Sequence, residues 1–248
     1  MAILYGINAV LESLKADAGR IERIFLQRGQ KNPRLQEIID LGRRHHIPLS
    51  FEDRLWLDRK AGGERHQGVV CHVAEAKTLA PEEILEQAAS PGLVLILDGI
   101  EDPHNLGAIL RSAEVAGADG VFIPHRGSAG LSAAAVKASA GAASHVKVTR
   151  VPNTAQLIEL LKENGYWVAG LEAGSGRQLW EADFTVPVAL VFGSEGGGLH
   201  RLVRERCDFL VSIPVRGKVS SHNVSVAAGI TLYEVLRQRA QQSSPDSK

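Results

Sequence analysis

Between Ile213 and Gly229 the chain reads IPVRGKVSSHNVSVAAG. Arg216 and Lys218 attract phosphate. Ser220, Ser221 and Asn223 are all helix-cap types just ahead of an apolar helical pattern, and a helix needs one cap. An apolar strand over Phe209–Ile213 that breaks at Pro214 leads into this surplus of polar side chains. The result is a loop with backbone and side-chain groups free for a ligand. Two upstream loops also carry reactive residue types. The first, DGIEDPHNLGAILR from Asp98 to Arg111, turns at Asp102-Pro103 and offers Asn105 as a cap, with His104 beside it. Arg111 follows in the second turn, and its i−3 and i−4 neighbours are only Ala108 and Gly107, which leaves room for a nucleotide to reach the guanidinium. The second, GSEGGGL from Gly193 to Leu199, sets Glu195 among glycines that permit positive φ and close backbone approach. Each loop also has a plain reading as a capped helix or a tight turn.

Known templates do not fit the glycine-rich loop. No GxxxxGK[ST] occurs, Arg201 takes the last glycine position of a GxGxxG, and Phe192 stands where a GxSxG elbow needs its first glycine.

The elements that position these loops alternate. Strands are expected at Leu93–Leu97, Val121–Ile123, Val146–Val151, Trp167–Leu171, Val188–Phe192 and Phe209–Ile213. Helices are expected at Leu106–Ala116, Leu131–Ala140, Thr154–Asn164, Leu199–Glu205 and from near Asn223 to Arg239. This α/β alternation predicts a mostly parallel sheet with helices on both faces. Ligands in such sheets bind beyond the carboxyl ends of strands, where all three loops lie. Ahead of residue 76 the chain reads as a separate small α/β domain over 1–75. It has helices at Asn8–Lys15 (capped by Asn8), Pro33–His46 and Arg54–Lys60, and strands at Ile21–Gln27, Ile47–Phe51 and Val69–Val73. Residues 76–91 form a linker with one acidic helix over Pro81–Ala89. The tail 241–248 is expected to be disordered.

Composition excludes little. The 248 residues carry zero formal net charge, so no global charge announces a nucleic-acid partner. Residues 1–75 are faintly basic, with twelve Lys/Arg against ten Asp/Glu, whereas 92–240 hold fourteen of each. Cys71 and Cys207 form no CxxC, so neither a metal site nor a disulfide framework is expected. Without an apolar run of membrane length or a basic leader, a cytoplasmic protein is expected.

Taken in order and spacing, NLGAILRSA, VFGSEGGGL and IPVRGKVSSHNVSVA resemble the three motifs of the SpoU branch of the SPOUT methyltransferases, over residues 92–240. YGINAVLESL and HQGVV resemble the L30e-like RNA-binding domain attached to bacterial 23S rRNA guanosine-2′-O-methyltransferases. The resemblance implies a C-terminal trefoil knot, S-adenosylmethionine as methyl donor, a ribose 2′-hydroxyl of RNA as acceptor, and a homodimer. The implied substrate is large-subunit ribosomal RNA, at a guanosine of its peptidyl-transferase region. It implies Asn105, Arg111, Glu195, Ser221 and Asn223 as catalytic residues, and the backbone at Gly193, Ile213 and His222 as cofactor contacts. His222 departs from the family, which usually has Leu there.

An in-line methyl transfer needs donor and acceptor aligned and the hydroxyl proton removed. A guanidinium, which stays protonated, suits Arg111 to pinning a phosphate and stabilising an alkoxide rather than acting as a base. RNA recognition is expected in 1–75, with Arg43, Arg44, His45 and His46 as one basic group and Arg20, Arg23 and Arg28 as another. Alternatives are a tRNA ribose methyltransferase and a non-catalytic RNA-binding or ribosome-assembly factor.

Overall fold

The computed structural model describes residues 2–74 and 79–242. In chain order they begin with β1 (Ala2–Tyr5), α1 (Ile7–Asp17), β2 (Ile21–Gln27), α2 (Pro33–Arg44), β3 (Leu49–Glu52), α3 (Arg54–Lys60) and β4 (Val69–Val73). Next come α4 (Pro81–Glu86), β5 (Leu93–Asp98), α5 (Pro103–Val115), β6 (Gly120–Pro124), α6 (Ala133–Ala138), β7 (Val148–Val151) and α7 (Thr154–Glu163). The chain finishes with β8 (Trp167–Leu171), β9 (Val188–Gly193), α8 (Arg201–Arg206), β10 (Phe209–Val211) and α9 (Val224–Gln242).

Two compact units result: Met1–Lys77 with Leu131–His145, and Thr78–Gly130 with Val146–Lys248. The helix read from Leu131 to Ala140, which the sequence sets between strands of the second body, is the shorter α6 and groups with the first. The reason is side-chain packing. Val136 joins the cluster built from Val10, Leu14, Ile24 and Ile38, and Lys137 bonds Glu64 at 3.0 Å and sits over the Tyr5 ring.

The first unit holds a four-stranded sheet in the order β1-β4-β2-β3, antiparallel except between β2 and β3. Strand β1, too short for a periodic signal, pairs Ala2–Tyr5 with Val70–Val73. Asn8 is not a cap: Gly6 holds that position with φ 94°, and Asn8 lies exposed inside α1. His66 is buried and reads its neighbours with both ring nitrogens. Its Nδ1 accepts from Gly68 N–H at 3.0 Å, which leaves Nε2–H to donate to Asp58 at 2.9 Å.

The second unit is a six-stranded sheet, order β10-β8-β9-β5-β6-β7, in which every pairing is parallel. All six residues of β5 and all six of β9 are buried, as central strands covered on both faces must be. The helix after β5 starts earlier than expected because Asp102, not Asn105, caps it, accepting from His104 N–H at 2.8 Å. Helix α9 packs against α5, burying Val224, Ala228, Thr231, Leu232 and Val235 at helical spacing. Near its end, Arg239 donates to the carbonyls of Pro91, Gly92, Phe184 and Val186 at 2.8–3.1 Å, around the amino ends of β5 and β9. Of the expected disordered tail, Gln241 and Gln242 extend α9, and 243–248 lie outside the described residues. No helix among the described residues is long and apolar enough to cross a membrane.

Candidate active site

Three side chains from three distant segments, the first turn of α5, the glycine loop and the residue ahead of α9, share one hydrogen-bonded cluster. Asn105 Nδ2 donates to Glu195 Oε1 at 2.6 Å. Asn223 Nδ2 donates to the same oxygen at 2.8 Å and to Asn105 Oδ1 at 3.1 Å. Asn223 is also the cap of α9, its Oδ1 accepting from the Ser225 N–H at 3.0 Å and from the Ser225 hydroxyl at 2.6 Å. Both donors to Glu195 are thus neutral amides, and no cationic side chain among the described residues pairs with it.

Each partner is placed by local necessity. Glu195 rides a tight loop closed by reciprocal backbone bonds between Ser194 and Gly198, both 3.0 Å. Gly196 and Gly198 have φ of 82° and 66°, which favour glycine. A Cβ on Gly193 would stand 2.2 Å from the Gly198 carbonyl carbon, so the strand must end in glycine for the loop to fold back on it. At the loop exit, buried Asp98 accepts from the backbone N–H of His200 and from its ring Nδ1, both at 2.9 Å, which ties the loop to the end of β5.

Beside the cluster lies a cleft of about 720 Å³. Leu171, Phe192, Val211, Ile213, Val224 and Ala227 make its apolar wall, and Gly193–Gly198 with Ser220–Asn223 make its polar one. The lining carries two carboxylates, Glu172 and Glu195, and neither lysine nor arginine. Its size is that of a small-molecule site. An amphiphilic ligand with a flat apolar part and a cationic centre fits this combination.

Of the residues singled out from sequence, Gly193, Glu195, Ile213, Ser221, His222 and Asn223 line the cleft. Asn105 reaches it through Glu195, as a buried helix-interior amide rather than as a cap. Arg111 does not line it; it is exposed on α5, with no hydrogen bond or ion pair to any described residue. Ser221 and His222 are exposed and likewise make no side-chain bond among the described residues. Sequence reasoning missed Glu172 and, Ile213 apart, the apolar wall. The rule that ligands sit beyond strand ends points to them, since Leu171 and Val211 close β8 and β10, Phe192 is the last residue but one of β9, and Glu172 follows β8 directly. No group of three or more His, Cys, Asp or Glu able to hold a metal occurs among the described residues.

Comparison with known proteins agrees with this geometry. Residues 92–233 match the SpoU rRNA Methylase family, and residues 3–79 match the family described as RNA 2′-O ribose methyltransferase substrate binding. A Xanthomonas axonopodis pv. citri protein, the 23S rRNA (guanosine-2′-O-)-methyltransferase RlmB, is 45% identical over 95% of this chain and 96% of its own. A solved RNA 2′-O ribose methyltransferase superposes with TM-score 0.80 at 27% identity, covering 96% of this chain and 88% of that one. The SpoU methyltransferase AviRb from Streptomyces viridochromogenes, solved in complex with AdoMet, shares the fold with TM-score 0.82 at 23% identity, over 96% of this chain and 90% of its own. From the loop cluster, the parallel sheet beneath it and these matches together, the chain belongs to the SpoU rRNA methylase family.

Proposed function

We propose that this protein transfers a methyl group from S-adenosylmethionine to the 2′-hydroxyl of a guanosine in 23S rRNA, and that the target lies in the peptidyl-transferase region. The observation that carries the reading is the Asn105–Glu195–Asn223 cluster beside a cation-compatible cleft, in a family of RNA ribose methyltransferases. When bound, the cofactor supplies an electrophilic methyl on a cationic sulfonium. The apolar wall from Leu171 to Ala227 suits its adenine, and backbone at Gly193, Ile213 and His222 holds it.

The protein groups then divide the work. Glu195, fixed by two amide donors, orders the glycine loop and would offer a carboxylate to the positive centre. Asn105 and Asn223 hold that carboxylate and, with Ser221, orient the acceptor ribose. Arg111 is exposed and unpaired among the described residues, free to take an RNA phosphate. Because a guanidinium stays protonated, Arg111 stabilises the developing alkoxide rather than removing its proton, which passes to solvent water.

The first unit supplies RNA recognition, supported by its match to a substrate-binding family. Its Arg43, Arg44, His45 and His46 stand exposed at the end of α2. The second group is more engaged: Arg20, Arg23 and Arg28 bond to Ala74 O, Ser50 Oγ and Phe51 O. The working form is a cytoplasmic homodimer. Val226, Ile230 and Tyr233, 50%, 38% and 69% exposed, lie at helical spacing on an exposed face of α9, and a second copy would cover them. The C-terminal segment forms the trefoil knot. Its support is the return path: after β10 at the sheet edge, the chain crosses back past β8 and β9 to lay α9 on α5.

The deciding experiment incubates purified protein with isotope-labelled cofactor and bulk rRNA and tRNA, then maps the modified nucleotide. Label on a 23S rRNA guanosine ribose is expected. Label confined to tRNA, or none, refutes the proposal.

A further inference from the structure

We infer that Glu172 reads the ribose hydroxyls of the bound nucleoside, with Arg204 as its positioning residue. The inference rests on the cleft being the S-adenosylmethionine site.

Glu172 is the first residue past β8 and lines the cleft. Its backbone N–H is spent on Val211 O at 3.0 Å, which fixes the stem against β10. Its Oε2 accepts from Arg204 Nε at 2.7 Å, and its side chain is 26% exposed. No hydrogen bond among the described residues reaches Oε1. A carboxylate on a cleft-lining residue, clamped through one oxygen and with no partner among the described residues on the other, is an acceptor held ready for a donor.

Sheet order says which donor. The strands run β10-β8-β9-β5, so the reactive cluster, built from loops after β9 and β5 and from the start of α9, sits toward one side of the cleft. Glu172 sits on the other, where Leu171 and Val211 provide the flat apolar surface. Neighbouring strands are spaced by roughly 4.8 Å, so the two carboxylates address different parts of one elongated ligand. With the sulfonium at Glu195, the nucleoside half lies toward Glu172. Its vicinal hydroxyls are paired donors of the kind a carboxylate accepts, as the acidic residue of dinucleotide folds does. Arg204 contributes by geometry: its bond to Oε2 restricts the Glu172 side chain and leaves Oε1 as the oxygen available to a ligand.

The test is calorimetric binding of S-adenosylhomocysteine and of its 2′,3′-dideoxy counterpart to the full-length wild type, E172Q, R204A and R204K. The wild type should prefer the hydroxylated compound by about tenfold to a hundredfold, the worth of a hydrogen bond to a charged group. E172Q should narrow that preference to about threefold or less by losing affinity for the hydroxylated compound alone. R204A should narrow it part-way and R204K should restore it. If E172Q keeps the wild-type preference, or weakens both compounds equally, Glu172 does not read the hydroxyls. If the wild type binds neither compound, the cleft assignment fails and this inference falls with it.

Discussion

The Asn105 amide lies 2.6 Å from the Glu195 carboxylate although 90 residues separate them in sequence. A neutral donor this close holds a charged side chain without cancelling its charge. Replacing Asn105 by Asp sets two carboxylates against each other in the same geometry. We expect N105D to weaken S-adenosylmethionine binding at least tenfold and methyl transfer further, and N105A to lose about 1.5–3 kcal/mol of loop order. Calorimetry and single-turnover rates check both; an N105D protein that binds cofactor like the wild type would refute the role given to the pair.

Arg111 makes no bond within the described protein, so its removal should leave stability and cofactor affinity unchanged. Turnover of R111A should fall by a factor on the order of 100 to 1000, the range for removing one preorganised charge-stabilising group. R111K separates point charge from planar fork: recovery of activity shows that charge suffices. Near-normal turnover in R111A would remove Arg111 from catalysis.

Gly193 tolerates no side chain, because the obstructing atoms belong to the backbone of Gly198 and Leu199. G193A should destabilise the protein by about 1–3 kcal/mol through forced backbone movement and abolish measurable cofactor binding. Thermal unfolding and equilibrium binding read the two effects separately. A variant with wild-type affinity would mean that the loop has slack which the structure does not show.

The apolar stripe Val226–Ile230–Tyr233 predicts oligomer state. I230D leaves the buried face of α9 untouched and should convert a dimer to a monomer in sedimentation velocity, with little change in far-ultraviolet circular dichroism. A dimer that persists in I230D would place the interface elsewhere.

Burial pushes the Cys207 thiol up to about 12, and Cys71 is raised more strongly by the same cause. Both should resist alkylation at pH 8 in the native protein and react freely in denaturant. The folded thiols hold their protons more tightly than the unfolded ones. Their contribution to stability is therefore complete below the ordinary thiol pKa and is lost as pH rises from there toward 12. Rapid native labelling at pH 8 would contradict the burial.

How far the sequence reveals this molecule depends on where each signal lives. Strands such as Trp167–Leu171 and Val69–Val73, and the helix Arg54–Lys60, fall where periodicity places them because a single apolar pattern decides each. The misread caps Asn8 and Asn105 show the limit. Both have the cap chemistry, but Gly6 and Asp102 hold the positions where the backbone turns. Freed from capping, Asn105 spends its amide on a partner that no local pattern names. Glu172 had no motif around it; its place just past a strand was legible, but the pairing of β8 between β9 and β10 is what puts that strand end at the cleft. The alanine-rich α6 is a further case, since its allegiance is decided by Val136 and Lys137 and not by its neighbours in sequence.

Arg239 gathers the carbonyls of Pro91, Gly92, Phe184 and Val186 from a position close to the end of the chain. The helix it anchors is the same one whose cap, Asn223, completes the cluster at the far end. The sheet, the glycine loop and the first unit all precede this helix in the chain, so the cleft gains its last wall only when a later segment folds back onto α5. A polypeptide cut before Asn223 would keep the glycine loop but lack the wall that closes on a ligand.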